Sequence, residues 1–460
     1  MKLPVKFIER IQNQFGDESE KFINALSQKP SLSIRYNPNK KIEIDLKNKV
    51  PWTEFGYYLD ERPTFTLDPL LHAGVYYVQD ASSMFIEEAL RQSVDLTKDL
   101  KILDLCAAPG GKTTSIASLI TENSLIIAND VNRKRAEILK ENLIKWGQNN
   151  IWVTSNETKS FTRIKNYFDI IILDAPCSGE GMFRKDDNAI EEWSENNVLF
   201  CANRQKEIIQ DVWDSLKSDG ILIYSTCTFS SLENEENVNW IFENFDCKSS
   251  DLDISKFEGI KEIYHKNIYG YYFYPHKVNG EGFFISIIKK NETIVSSSKQ
   301  NNNKKLYKTF VAINKNIKNL VDNSIELNNN DILIDKDNII ILLNKLYLTD
   351  FYYLNNLLYF RSIGVECFEI FGNKIKQMHS LSTYKNINID NTNSIELDLN
   401  DALKYLKKED LKIDFNNFKQ GINLITYLGF GLGWLNIIGE RANNIYPKDW
   451  KIKMNINNVL

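Results

Sequence analysis

At 460 residues the chain is too long for one ordinary hydrophobic core, and two or three domains are expected. Its 43% hydrophobic and 25% charged content is that of a globular protein, and no apolar run approaches the roughly 18–20 residues that span a bilayer. The net charge of −5 counts against a uniformly basic nucleic-acid binder, so any polyanion contact must come from local basic surface.

The elements follow in chain order. The N-terminal stretch "MKLPVKFIERIQNQF" lacks the continuous apolar core of a signal peptide. Residues 1–50 hold ten Lys/Arg against six Asp/Glu. Phe7, Ile8 and Ile11, then Phe22, Ile23 and Leu26, fall at helical spacing and predict two short helices within 5–27. "LSIRYN" at 32–37 alternates as a strand does, and Pro38 ends it. "HAGVYYVQDASSMFIEEAL" at 72–90 leads into a helix, with Asp80, Ser82 or Ser83 as its cap. His72 reads as a packing or capping residue. From about 101 to 288 strands alternate with helical stretches: "KILDL", "SLIIAND", "IWVTS", "FDIIILDAP", "GILIYSTC", then "YYFYP" and "GFFISIIKK". That alternation implies βαβ units and a parallel sheet covered by helices, the last two runs forming an antiparallel edge pair. Residues 289–308 carry six lysines against Glu292, within a polar linker whose charge reads first as a solvated face. Beyond it, "NIIILLN", "LYFRSIGVECFEIF" and the terminal "YLGFGLGWLNIIGERANNIYPKDWKIK" predict a small α+β module.

Six cysteines, Cys106, Cys177, Cys201, Cys227, Cys247 and Cys367, include no Cys-x-x-Cys pair. Neither a zinc site nor a redox pair is indicated, no metal is expected, and reduced thiols in a cytosol are the natural reading.

Residues 106–114, "CAAPGGKTT", follow the run "KILDL" and suggest a phosphate cradle. The triphosphate loop needs Gly-x-x-x-x-Gly-Lys-Ser/Thr. Aligning Gly111, Lys112 and Thr113 to its end puts Cys106 where the first glycine belongs, so the pattern fails and an ATPase is disfavoured. The dinucleotide pattern fails too, since only Gly110 and Gly111 are present. A strand, a tight glycine turn and a helix from about Lys112 to Leu119 survive. Asp130 ends the next apolar run, where a doubly wound fold places the carboxylate that holds ribose hydroxyls. The loop therefore suits a ribose-bearing cofactor with little or no phosphate, such as S-adenosylmethionine. The plain alternative is a strand-turn-helix with a packing glycine.

Two further strands end in chemistry. Asp174, Ala175, Pro176 and Cys177 close one, and Cys227 closes another. In a doubly wound sheet ligands bind beyond the carboxyl ends of the strands, and neighbouring strands lie about 4.8 Å apart. Two cysteines at such ends can share one substrate. Each alone could equally be a small buried hydrophobe. Ser230 and Glu233 have capping-box spacing ahead of a helix. A helix start close after Cys227 would lower its pKa, while Glu233, Glu235 and Glu236 would oppose that.

In order, "LDLCAAPGGKT", Asp130, "LDAPCSGEGMFRKD", "YSTCTFSSLENEENV" and "YPHKVNGEGFF" resemble the motifs of the Sun family of RNA cytosine-5 methyltransferases. "FINAL…SLSIRYNPNK" and "YYVQDASSM" also match. The terminal "LGWLNIIGERANNIYPKDW" looks like the extra RNA-binding domain of the ribosomal RNA small subunit methyltransferase F branch.

The resemblance implies an N-terminal α+β RNA-binding domain (1–95) and a Rossmann-like α/β methyltransferase domain (96–290). A linker (291–306) and a small α+β, PUA-like RNA-binding domain (307–460) follow. It implies a monomeric enzyme acting with S-adenosylmethionine on RNA, ribosomal RNA or the small ribosomal subunit. Cys227 would add to carbon 6 of cytosine, making carbon 5 nucleophilic, and Cys177 would help release the methylated base. Asp174 would contact the cytosine edge and the cofactor site. Cys106, Ala107, Ala108, Pro109, Gly110, Gly111, Lys112 and Asp130 match that cofactor site. Asn156 or Glu157 stands where the family often has an adenine-contacting aspartate. His276 lies in a family motif and reads as structural. The target base must leave its stack, and Arg184, Lys185 and Arg441 are candidates for RNA contacts. Transfer RNA as substrate, or a non-catalytic assembly factor, are the competing readings.

Overall fold

The computed structural model describes residues 3–43, 47–292, 321, 324–372 and 374–456. Most of the lysine-rich stretch and the expected linker lie outside the described residues.

Helices Val5–Phe15 and Ser19–Leu26 form where the spacing predicts them, and Phe7, Ile11, Phe22 and Leu26 are buried. Three short antiparallel strands follow: β1 (Ser33–Tyr36), flanked by β2 (Gly56–Tyr58) and β3 (Tyr76–Val78). The predicted cap near residue 82 is Asp80, whose Oδ2 accepts from the Ser83 amide at 3.2 Å at the start of a 3-10 turn that leads into helix Ile86–Ser93.

The central sheet holds five parallel strands: β4 (Lys101–Asp104), β5 (Leu125–Asn129), β6 (Ile151–Thr154), β7 (Phe168–Asp174) and β8 (Leu216–Thr226). Their spatial order is β8-β7-β4-β5-β6. Because parallel strands are covered on both faces, their sequences are near-continuous apolar runs. One apolar cluster lies on each side, around Leu103, Ile127, Ile171 and Leu222, and around Ile102, Ile126, Ile170 and Ile223. The chain order reverses at β4, which has β5 on one side and β7 on the other. The crevice beyond the carboxyl end of β4 is therefore the topological switch point.

Antiparallel strands β9 (Cys247–Ser250), β10 (Lys261–His265), β11 (Ile268–Phe273) and β12 (Phe283–Lys290) extend the sheet beyond β8. β11 and β12 pair as the sequence suggests but do not form the edge. β12 is buried between β8 and β11, which its apolar "FFISII" allows, and the more polar β10 takes the edge.

The C-terminal region holds two four-stranded sheets. The first contains β13 (Asp331–Lys336) and β14 (Ile339–Asn344). The run "LYFRSIGVECFEIF" then divides. β15 (Phe360–Ser362) joins the far edge of the central sheet beside β6, while β16 (Val365–Phe371) pairs with β14 and with β17 (Lys374–Gln377). Gly364 makes the division possible, because its φ of +52° is left-handed and a Cβ there would lie 2.2 Å from the Leu342 carbonyl oxygen. The second sheet holds β18 (Ser394–Glu396), β19 (Gly421–Tyr427), β20 (Phe430–Ile438) and β21 (Arg441–Asn444). Its core is continuous with the N-terminal strands: Ile34, Val75 and Tyr76 pack with Ile395, Leu403 and Leu435. Among the described residues no helix is long and apolar enough to cross a membrane.

Candidate active site

The loop after β4 is built around its glycines. Gly110 has a φ of +114°, and helix Gly111–Ala117 starts directly after it. Neighbouring groups fix the loop: the Ala107 amide donates to Asn129 O (2.8 Å), Arg135 Nη2 to Ala108 O (2.6 Å) and Asn142 Nδ2 to Pro109 O (2.8 Å).

The loop faces carboxylates. Asp130, at the end of β5, is buried; Oδ1 accepts from the Asn132 amide (2.9 Å), whereas Oδ2 has no hydrogen bond and an ion-pair distance of 3.5 Å to Arg135. Asp104, at the end of β4, is also buried. Its Oδ2 accepts from Thr113 Oγ1 (2.6 Å) and its Oδ1 is unpartnered. Burial pushes the Asp104 carboxyl up to about 7. Burial, then Asp130, Asp104 and Asp174, push the Cys106 thiol well up, so it stays protonated. Asp130, Asp174 and the half-titrated Asp104 offset Lys112 and Arg135, which leaves no net positive charge to hold a triphosphate. The carboxylates suit a ligand with ribose hydroxyls and positive charge, and S-adenosylmethionine fits on both counts.

β7 and β8 bring the second group together. Their register aligns Asp174 with Ser225, so the residues that follow meet. Cys177 Sγ and Cys227 Sγ lie 3.1 Å apart as free thiols, and the Cys227 amide donates to Cys177 Sγ at 3.4 Å. Contact with Cys227, then burial, raises the Cys177 thiol well above its ordinary value. Asp174 accepts from Ser225 Oγ (2.9 Å) and pairs with Lys112 Nζ (2.8 Å), joining the β4 loop to this centre. Burial disfavours the Lys112 charge, but Asp174 and Asp104 outweigh it and hold the ammonium above its ordinary pKa.

Buried glutamates the sequence did not single out as site supports hold these loops. Glu180 accepts from Trp193 Nε1 (2.8 Å) and the Phe229 amide (3.0 Å) and pairs with Arg10 (2.7 Å). The expected capping box does not form. Glu233 turns inward to the Ser178 amide (3.0 Å), the Ser178 hydroxyl and Gln205 Nε2 (3.0 Å), and the helix starts only at Glu235. Cys227 thus sits against a thiol and a backbone crossing, not a helix terminus. Burial raises Glu233 to about 7. The signal in the sequence was a glutamate inside an otherwise uncharged turn, and for Asp104 a lone carboxylate within an apolar strand.

The outer candidates fare differently. Asn156 lies beyond β6, near the crevice, but its amide is engaged with the chain before β15: Nδ2 donates to Tyr359 O (3.1 Å) and Oδ1 accepts from the Tyr359 amide (2.9 Å). Glu157 is exposed. Arg184 is not a surface cation. Its guanidinium side chain is 5% exposed and donates to Glu281 (2.6 Å) and Gly280 O (2.5 Å), tying the loop after β7 to the turn before β12. Lys185 is partly exposed and faces Glu281 (3.4 Å) and Asp80 (3.8 Å). Arg441 is exposed at the start of β21, on the rim of a cleft of about 530 Å³ that also includes Lys408. His276 packs against Phe15, Phe22 and Tyr274, and His72 bonds Thr66 O (2.9 Å) at the end of a short helix. Among the described residues no cluster of three or more His, Cys, Asp or Glu could hold a metal ion.

Comparison with known proteins agrees with this architecture. Residues 92–289 match the family model of 16S rRNA methyltransferase RsmB/F. Residues 3–81 match the N-terminal domain of 16S rRNA methyltransferase RsmF, and 392–452 its PUA domain. The ribosomal RNA small subunit methyltransferase F of Psychromonas ingrahamii is 30% identical, over 97% of each chain. That of Shewanella piezotolerans is 28% identical over 94% of this chain and 93% of its own. A solved methyltransferase homologue from Pyrococcus horikoshii superposes with a TM-score of 0.52 at 27% identity, covering 62% of this chain and 94% of its own. The fold and its strand-end site define a methyltransferase of the doubly wound class. The chain belongs to the ribosomal RNA small subunit methyltransferase F family, the branch of the Sun family that carries a C-terminal PUA domain.

Proposed function

We propose that this chain methylates carbon 5 of a cytosine in small-subunit ribosomal RNA through a covalent cysteine adduct. The observation that carries the reading is the pair of thiols, Cys177 and Cys227, in contact at the ends of adjacent strands beside Asp174 and Lys112. S-adenosylmethionine, held by the 106–112 loop and Asp130, would supply the methyl group. The names of the full-length relatives support ribosomal RNA as substrate.

Carbon 5 of cytosine is a weak nucleophile. Cys227 Sγ, its S–H proton passed to solvent, bonds to carbon 6 and moves the ring electrons to carbon 5, which can then be alkylated. Asp174, paired with Lys112, accepts a hydrogen bond from the exocyclic amine, which selects cytosine. Cys177 retains its proton while it faces the Cys227 sulfur. Once that sulfur is a thioether, the main cause of the raised Cys177 pKa is gone; Cys177 then releases its own proton to solvent, and the resulting thiolate takes the proton from carbon 5. Loss of that proton restores the ring and expels Cys227.

Opposite trapping behaviour tests these roles. Cys227→Ala should give no RNA-linked protein on a denaturing gel. Cys177→Ala should accumulate a ribonuclease-sensitive heavier band, and the double variant should lose it. A band from Cys227→Ala and none from Cys177→Ala would reverse the assignment. Bisulfite sequencing of ribosomal and transfer RNA, with and without the protein, tests the substrate.

A further inference from the structure

Three buried donors leave one short segment of the N-terminal region and reach into the methyltransferase core. Arg35, on β1, is fully buried, and its five hydrogen bonds go to neutral acceptors. Nε donates to Gln79 Oε1 (2.8 Å), Nη1 to Thr114 O and Ser118 Oγ (3.4 and 3.3 Å), and Nη2 to Thr114 Oγ1 and Gly111 O (2.6 and 3.3 Å). The guanidinium stacks on Trp146 at 4.7 Å. Asn37 Nδ2 donates to Gly74 O and Trp146 O (3.0 and 2.9 Å). Lys40 Nζ donates to Ala73 O and Lys145 O (both 2.6 Å).

The targets differ. Asn37 and Lys40 hold the carboxyl end of helix Arg133–Trp146, the remote end from Asp130. Arg35 alone reaches the turn that opens the β4 loop into its helix. Thr114 Oγ1, which accepts from Arg35, lies within donating distance of Gly110 O (2.8 Å). Gly110 is the left-handed residue of that turn. Helix carbonyls point away from the helix N-terminus, so Arg35, which bonds the Gly111 and Thr114 carbonyls, lies on the side of the turn away from that terminus. A cation buried without a carboxylate bond is costly, and what this one organises is the shape of one turn.

We propose that Arg35 is a positioning residue for cofactor binding: from the N-terminal region it sets the Gly110–Gly111 turn, without touching the cofactor itself. The inference rests on the cofactor reading above. It makes the strand that belongs to the N-terminal region a part of the cofactor site.

Calorimetric titration of the full chain with S-adenosylmethionine, beside thermal unfolding, tests it. Arg35→Lys keeps the charge, but an ammonium has three N–H groups where the guanidinium fork uses five. The dissociation constant should rise about tenfold or more, with amide exchange accelerated at 110–114 in the cofactor-free protein. In turnover, KM for the cofactor should rise while KM for RNA stays near its original value. Thr114→Val, which keeps the shape of the side chain and removes the linking hydroxyl, should shift cofactor affinity in the same direction. It carries the test if Arg35→Lys does not fold. Asn37→Ala should lower the melting temperature yet leave cofactor affinity unchanged. Unchanged affinity in Arg35→Lys or, should that variant not fold, in Thr114→Val would overturn the proposal. So would an equal loss in Asn37→Ala. Absence of binding by the unaltered chain would instead remove the cofactor reading itself.

Discussion

Gly181 has no room for a side chain. A Cβ there would lie 2.7 Å from the carbonyl oxygens of both Cys227 and Gly282, where three loops cross, and the Gly181 amide donates to Cys227 O at 2.7 Å. Gly181→Ala must move the backbone that carries Cys227. Overpacking of this kind costs about 1–3 kcal/mol, and the stronger effect should be on chemistry, since the thiol is displaced. A urea midpoint slightly lowered, with adduct formation lost, is the expected pair of results; full activity would show the crossing is slack. Asp130 makes a second prediction at this scale. Its Oδ2 accepts no hydrogen bond and suits a ribose hydroxyl, so Asp130→Ala should weaken S-adenosylmethionine by roughly 1.5–3 kcal/mol in calorimetry. Preference for ATP over S-adenosylmethionine by the unaltered chain would sink that reading of the crevice.

Among the elements, helix Arg133–Trp146 shows how a terminus is satisfied from outside. Its last carbonyls are met by Lys40 and Asn37, and burial pushes the Lys40 amine down to about 7 from the ordinary 10.5. A neutral amine still has the two N–H groups that its two carbonyl partners require. Between pH 7 and 10.5 the unfolded chain binds this proton and the folded chain does not. Stability is therefore gained as pH rises through that window and lost as pH falls back toward 7, with a slope of up to about 1.4 kcal/mol per pH unit. Lys40→Met should be less stable throughout, because two buried carbonyls lose their donor, but its stability should vary less between pH 7 and 9.5. Urea midpoints at several pH values measure the difference. An identical slope in both proteins would place the titration elsewhere. His72, held down to about 4 by burial, acts on the acid side: its contribution is present above about 6.5 and lost as pH falls toward 4.

Over the whole molecule, the C-terminal region is tied to the catalytic sheet by strand pairing. β15 adds to β6, and the Asn156 amide grips the Tyr359 backbone from both sides. Tyr359→Pro removes the N–H that bonds Asn156 Oδ1 and should cost about 1–3 kcal/mol. Loosening this edge should also separate the unfolding of the C-terminal region from that of the sheet, visible as a second calorimetric transition and faster amide exchange in β6. One unchanged cooperative transition would show that the shared core around Ile34, Tyr76 and Leu435 suffices.

The residue order alone determined the alternating architecture, because a strand buried on both faces must be an apolar run and βαβ units must place such runs in parallel. It also put Asp130, Asp174, Cys177 and Cys227 just after such runs, and parallel pairing of those strands brings their ends to one edge of the sheet. Pattern within one segment does not carry the partners of a buried polar group. Glu233 has capping-box spacing yet turns to Ser178, and Arg184 has the charge for RNA yet lies against Glu281. The division of one apolar stretch between β15 and β16 was hidden for the same reason, as each half is explained by a different sheet. Only the tertiary structure decided these, because a buried charge or an unpaired strand edge is satisfied by whatever the fold brings beside it, and that neighbour is usually distant in sequence.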